Sequence, residues 1–444
     1  MALQFGFVSA VIARGALLAL AACGSSPPSE PVPLPAQVPA VSPAKGACGP
    51  MRGPVTASSL APVTAPNDPA PVPIVRPEAL DGFYDALAKL ARGRASDSVR
   101  IAVFGDSNLT MDFTSGRMRR RLQQRFGDAG HGFVALGKPW SHYRHMDVQH
   151  DVIGGWKAFA ITTSPTGDGM YGLGGIAAEN QYIGARTFAA TAPEGSPVGG
   201  AVGRFDLFYF ARPHGGEVGV RIDEQSPERL STLAAQPGLG VRRFEVADGP
   251  HKIEVSATSN GSVRLFGVAL ERSEPGVVVD SFGVGALNTK TLGRHDPALF
   301  AAMLSARRYD LIVFMTGAND IFTMDAVPPT MKRIIATIRQ SLPRASIMMM
   351  TPADRGLRKS MKETLAVVSQ RREVAEGEGV ALWDQFAAMG GQNSMGGFVR
   401  TKLAFKDAVH FTEAGGAFVG DRFIEALYQG FEAFVAKHPE AGCP

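Results

Sequence analysis

Cysteine is scarce in this chain, with three in 444 residues at positions 23, 48 and 443, so neither a disulfide-built scaffold nor a multi-cysteine metal site is available to it. Charge is also thin. Charged residues make up 19% of the chain and the net charge is +4, which excludes the dense basic surface of a nucleic-acid binder. Lysine and arginine are scattered except at Arg117-Met118-Arg119-Arg120-Arg121, which is expected to form one solvated helix face. Neither a zinc-finger spacing nor an RNA-binding aromatic motif occurs. His131, His142, His145, His150, His214, His251 and His295 fall at no ligand spacing, so no metal or other cofactor is expected. No stretch reaches about 18 consecutive apolar residues, and no spanning helix is expected.

What the chain does have is a hydrophobic fraction of 45%, enough to bury a full core, and a length beyond one ordinary domain. From Gly24 to Pro77 proline, alanine, serine and valine dominate, a composition expected to give an extended tether. Helical spacing of Phe83, Leu87 and Leu90 leads to the short β-branched run Val99-Arg100-Ile101-Ala102-Val103-Phe104, which reads as a buried strand. Met118, Leu122 and Phe126 then mark a helix ending at Gly127. Between Gly132 and Ser273 helical periodicity disappears. Segments 205–210, 218–222, 241–246, 251–255 and 263–268 read as successive antiparallel strands of a β-sandwich or jelly roll. After Gly276 strands at 277–281, 311–315, 347–351 and 381–383 alternate with helices at 328–341 and 358–376, and a last helix follows His410. The expected architecture is a three-layer α/β domain with a parallel sheet, split by an inserted β-sandwich.

Three blocks carry chemistry. Gly105-Asp106-Ser107-Asn108 follows the first strand, Gly317-Ala318-Asn319-Asp320 follows another, and Asp407-Ala408-Val409-His410 lies near the C-terminus. Each alone is an ordinary turn or cap, since glycine, aspartate and serine suit both. In this order and context they read as a serine hydrolase, with Ser107 at the carboxyl end of a strand, where α/β sheets bind ligands.

These blocks resemble the SGNH or GDSL-type hydrolases. Block one matches at Ser107, block three at Asn319 and block five at Asp407 and His410; block two is the loosest match, at 280–286, where Gly285 is preferred to Gly283. The resemblance implies a flavodoxin-like fold and a catalytic triad of Ser107, His410 and Asp407. It also implies an oxyanion hole made by the backbone N–H groups of Ser107 and Gly285 with the Asn319 amide. Asp106 and Asp320 are expected to hold their loops through backbone hydrogen bonds. The expected divisions are a signal at 1–22, a linker at 23–78, the hydrolase domain at 79–135 and 276–444, and the β insertion at 136–275.

A finer resemblance, to peptidoglycan O-acetylesterases carrying a carbohydrate-binding-module-like insertion, rests on residues 126–133, Trp140, Gly154-Gly155-Trp156, Leu382-Trp383-Asp384 and Met389-Gly390-Gly391. Asn108 and Asp320 depart from part of that group. Trp140 and Trp156 suit either sugar stacking or a sandwich core. At the N-terminus, the apolar stretch from Gly15 to Cys23 resembles a bacterial lipoprotein signal, which implies cleavage before Cys23, its lipidation and export to the cell envelope, with outer-membrane sorting favoured by Gly24. The departure is the n-region, whose only arginine, Arg14, comes late. Cys48 and Cys443 would then be free to pair or to stand apart. The expected partners are an acetylated polysaccharide, peptidoglycan first, and a membrane through the lipid; nucleic acid is excluded. The alternatives are an esterase or acyltransferase on another glycan or a lipid, and a non-catalytic carbohydrate-binding lipoprotein.

Overall fold

In a computed structural model, described over residues 49–443 except 56–59, 66–68, 181, 260 and 357–359, the run at 99–104 is an interior strand of a parallel sheet. Chain order begins with helix α1 (Asp81–Ala91), strand β1 (Val99–Gly105) and helix α2 (Phe113–Phe126). Eleven strands follow without an intervening helix: β2 (Gly132–Val134), β3 (Val148–Ile153), β4 (Trp156–Ala160), β5 (Ile176–Asn180), β6 (Arg186–Thr191), β7 (Val202–Ala211), β8 (Glu217–Ile222), β9 (Glu228–Ser231), β10 (Gly238–Gly249), β11 (Lys252–Ala257) and β12 (Arg264–Glu271). The α/β rhythm then resumes with β13 (Val277–Gly283), α3 (Thr289–Leu292), α4 (Pro297–Arg307), β14 (Leu311–Met315), α5 (Val327–Ser341), β15 (Ser346–Met350), α6 (Met361–Gly377), β16 (Ala381–Trp383), α7 (Gln385–Ala388), α8 (Ser394–Arg400) and α9 (Glu413–Lys437).

The parallel sheet runs β13-β1-β14-β15-β16, the order of a flavodoxin-like doubly wound fold. Its strands are buried on both faces, and the two-residue period of a strand sorts them. Ala102, Phe104, Ile312, Phe314 and Met349 face α4 and α5, whereas Ile101, Val103, Val313, Met348 and Met350 face the side of α1, α2 and α9. The antiparallel strands form two further sheets, β10-β7-β12-β5-β4 with β2 beside β12, and β3-β6-β11-β8-β9. Their inner faces share one apolar core, which continues into the first face of the parallel sheet.

Three readings of the sequence need correction. Residues 132–134, placed with the α/β part by the expected boundary at 136, pair with β12 and so belong to the antiparallel sheet. The arginine cluster is no solvated face. Arg117 and Arg119 are buried against Asp421 and Asp112, and Arg120 reaches Asp147 at 2.7 Å; Asp421 and Asp147 arrive from other segments, and Asp112 from the start of the same helix. The proline-rich stretch, where described, is not a free tether: Val75 exchanges both backbone hydrogen bonds with Leu382, Trp383 Nε1 donates to Val72 O at 3.1 Å, and Arg117 donates to Ala61 O at 2.7 Å. An extended chain with unpaired carbonyls is a ready acceptor for such donors. Residues 1–48 lie outside the described residues, and with them the signal, Cys23 and Cys48. Cys443 is disulfide-bonded, its partner also outside them. Among the described residues no helix is long and apolar enough to cross a membrane.

A buried charge chain ties the parallel sheet to the antiparallel one. Glu271, at the end of β12, accepts from Arg100 of β1 at 2.8 and 3.0 Å, from Arg307 of α4 at 2.7 Å and from Arg204 at 2.5 Å. Arg307 also donates to Asp280 of β13, which further accepts from Tyr309 Oη and from the Phe133 N–H of β2. Burial alone would raise the Glu271 carboxyl, but the three arginines outweigh it and hold the group ionised. Removing one partner of such a network leaves buried charges uncompensated. Glu271→Ala is therefore expected to cost about 3–5 kcal/mol, read as a fall in the denaturant midpoint, whereas a change below about 1 kcal/mol would contradict this account.

Candidate active site

β1 ends at Gly105, and the chain passes through Asp106 into a single 3-10 turn, Ser107–Leu109, which Asp106 caps by accepting the Asn108 N–H at 3.1 Å. Ser107 thus stands at the carboxyl end of β1, between β13 and β14. The flanking strands β13 and β14 end beside it and deliver Gly285 and Asn319, and the loop before α9 brings Asp407 and His410.

His410 Nε2 lies 2.8 Å from Ser107 Oγ, and its Nδ1 lies 2.7 Å from Asp407 Oδ2. A carboxylate at Nδ1 keeps the proton there and leaves Nε2 as the acceptor facing the serine hydroxyl. The other Asp407 oxygen accepts the backbone N–H groups of Val409 and His410, both at 3.0 Å, across a turn in which Ala408 adopts a left-handed conformation (φ 55°). Partial burial pushes the Asp407 carboxyl up, but the hydrogen bond from His410 and these two N–H groups outweigh it and hold it below its ordinary value.

Asn108 clasps this loop to the serine turn, donating Nδ2 to Val409 O at 3.2 Å and accepting the Phe411 N–H at 2.9 Å. Behind the serine, burial raises the Asp106 carboxyl to about 6, with Asp320 adding to the rise. Asp320 accepts from Thr289 N and Oγ1 and from the buried Arg371, all within 2.8 Å.

The two block-two glycines separate cleanly. A Cβ at Gly283 would fall 2.4 Å from the Leu109 backbone, so that glycine serves close packing, whereas a Cβ at Gly285 would meet nothing within 4 Å and would project into open space. Gly285 lines a cavity of about 540 Å³ together with Ser107, Asp407 and His410. Asn319, also expected at the site, is not among the residues that line this cavity; its Nδ2 donates to Leu287 O at 3.1 Å, two residues beyond Gly285. The far wall comes from the antiparallel region, with Trp140, His142, Thr162 and Thr163, and faces Met111, Phe113, Phe405 and Phe411. Trp156 and Trp383 are core residues. Preorganised donors around a base-paired serine can perform acyl transfer.

The GDSL-like lipase/acylhydrolase family model matches residues 246–418, a span that includes Gly285, Asn319, Asp407 and His410. The match covers less than half of the chain, and Ser107 lies before it. No curated protein matches it in sequence. Among solved structures, a peptidoglycan O-acetylesterase superposes with a TM-score of 0.66 at 22% identity, over 79% of this chain and 96% of its own. That share is too large for the parallel-sheet part alone, so the common fold extends into the antiparallel strands. A family two carbohydrate esterase from Cellvibrio japonicus gives a TM-score of 0.27 at 13% identity, over 64% of this chain and 99% of its own.

Sequence spacing pointed to Trp140 but missed the clasp of Asn108, the other wall residues His142, Thr162 and Thr163, and Arg371, whose only signal was a charge inside a mostly apolar helix stripe. It also missed a histidine cluster. Asp112, His131 and His145 bring ligand atoms within 4.8 Å of one another. Both Asp112 oxygens already accept from Arg119, one of them also from Ser115 Oγ and the other from Met146 N, so no carboxylate lone pair is left for a cation. His131 Nε2 instead meets His145 Nδ1 at 3.2 Å, and His150 Nε2 accepts the His145 N–H.

Burial pushes all three imidazoles below the ordinary 6.5, His145 to about 3 and His150 to about 4. Between those values and 6.5 the unfolded chain binds protons that the folded one does not, so stability is full above about pH 7 and falls as the pH drops toward 4. Asp106, shifted the opposite way, offsets part of this only below about pH 6. Urea midpoints measured from about pH 7.5 to 5 should decline steadily, and a flat profile would contradict the buried neutral cluster.

Proposed function

We propose that this chain is a serine esterase that removes O-acetyl groups from peptidoglycan or another cell-envelope polysaccharide. The observation that carries the reading is the Ser107–His410–Asp407 hydrogen-bond chain opening onto a cavity large enough for more than the acyl group itself. His410 Nε2 takes the Ser107 proton as Oγ attacks the acetyl carbonyl, and the oxyanion is received by the Ser107 and Gly285 N–H groups with the Asn319 amide. Collapse breaks the ester bond, and the sugar oxygen leaves with the proton from His410. Water, deprotonated by the same imidazole, then attacks the acetyl-enzyme, and acetate departs as Ser107 regains its proton.

Support for a sugar as the leaving group comes from the wall: Trp140 offers an aromatic face, Thr162 and Thr163 offer hydroxyls, and among the described residues no lysine or arginine lines the cavity. That is the lining of a site for a neutral acylated sugar. The shared fold with a peptidoglycan O-acetylesterase points the same way. We further propose that the chain is exported and held in the cell envelope by acylation of Cys23, on the strength of the apolar stretch that ends there.

Acetate release from O-acetylated peptidoglycan by the purified full chain tests the first proposal. Release should fall by about 10³-fold or more in Ser107→Ala. Serine-dependent hydrolysis of a small acetyl ester without release from the polymer would move the substrate to another acylated glycan or a lipid. For the anchor, mass spectrometry of the mature N-terminus should find an acylated Cys23, and an unmodified one would refute it.

A further inference from the structure

The turn after β4 crosses from the antiparallel region to the serine site. Ala160 and Ser164 exchange two backbone hydrogen bonds at 3.1 Å, the Ile161 N–H donates to Gly175 O at 2.8 Å, and Arg294 donates to Ile161 O at 3.2 Å. Thr162 stands on this braced turn and donates Oγ1 to Gly285 O at 2.9 Å.

Gly285 brings no rigidity of its own. Open space surrounds its missing Cβ, and glycine torsions are soft. Its neighbour Ala286 holds a left-handed conformation (φ 59°), which is costly for alanine and would be relieved if the Gly285–Ala286 peptide turned over and returned Ala286 to negative φ. On one side the loop is fixed by the Val284 N–H on Gly105 O at 3.0 Å, beyond Ala286 by Asn319 Nδ2 on Leu287 O at 3.1 Å, and across the turn by the Leu287 N–H on Val284 O at 3.2 Å, a bond that survives either orientation of the central peptide. Between these points the Thr162 hydroxyl is the side-chain contact on the Gly285 carbonyl.

We propose that Thr162 is a positioning residue for the oxyanion-binding loop: by holding the Gly285 carbonyl it keeps the 284–287 turn, which carries the Gly285 N–H, in one conformation at the cavity wall. The inserted β region is then a working part of the esterase, not an accessory to it. This rests on the reading of Ser107 as nucleophile and Gly285 as oxyanion donor, which Ser107→Ala tests separately in the same assay.

The experiment compares kcat and KM for 4-nitrophenyl acetate in the wild type, Thr162→Val and Thr162→Ser, with thermal midpoints measured alongside. Valine keeps the shape and removes the donor. A directly lost oxyanion donor costs 10²–10³-fold, so a lost brace one bond away is expected to lower kcat about tenfold and leave KM within about twofold. Serine keeps the donor and should recover most of the rate. This ester carries no sugar, so a lost glycan contact cannot produce the fall. Thr162 is half-buried on a loop, and Thr162→Ala repeats the comparison should the extra valine methyl crowd the turn. Unchanged kcat in Thr162→Val, a defect seen only as a raised KM on polymer, or equal loss in valine and serine variants would each overturn the proposal. Activity that survives Ser107→Ala would instead overturn the reading of the site.

Discussion

Two buried carboxylates, Glu271 and Asp280, fix the junction on which the active-site cavity depends. Glu271 closes the last antiparallel strand and Asp280 lies in the first parallel strand that follows it, and Arg307 donates to both. Arg100 pulls β1 into the same cluster, two links upstream of the strand end that presents Ser107. Charges taken out of water at this expense hold only with near-complete pairing, so the geometry tolerates little slip. The orientation of one sheet region against the other is thereby set by directional bonds, where an apolar interface alone would allow sliding.

Because the cavity is walled from both regions, that orientation is also the geometry of the site. The serine, the histidine loop and the oxyanion loop all sit at the carboxyl edge of the parallel sheet, as the doubly wound topology dictates. Loops in that position are mobile unless braced. Here Asn108 braces the histidine loop and Asp320, with Arg371, braces the start of α3. The arrangement keeps Ser107, His410 and Asp407 in hydrogen-bond contact before any substrate arrives.

Much of this was legible in the chain. The apolar runs at 99–104 and 311–315 each end at a glycine-bearing turn, and both are strands of the parallel sheet because near-continuous apolar character suits burial on two faces. Ser107, Asp407 and His410, singled out by spacing and order, do come within hydrogen-bond distance. The early antiparallel strands β2 to β6 were not visible, since 132–191 is rich in glycine and polar residues and its pairing partners lie far along the chain. The arginine run misled for the same reason: charge pattern within a helix cannot reveal an Asp421 or Asp147 arriving from elsewhere. Long-range partners of polar groups are the information that local periodicity does not contain.

The strap at residues 71–77 has one more consequence. β16 is the last strand of the parallel sheet, and a bare last strand offers a row of unpaired N–H and C=O groups to any neighbouring chain. Val75 meets Leu382 in a single two-bond bridge, with Pro71, Pro73 and Pro77 around it. Proline has no N–H with which to continue a ladder, so the strap occupies the edge without becoming a new one. A segment whose composition suggests only a spacer thus acts as a guard against edge-to-edge aggregation, a hazard for any sheet protein crowded at high local density on a surface.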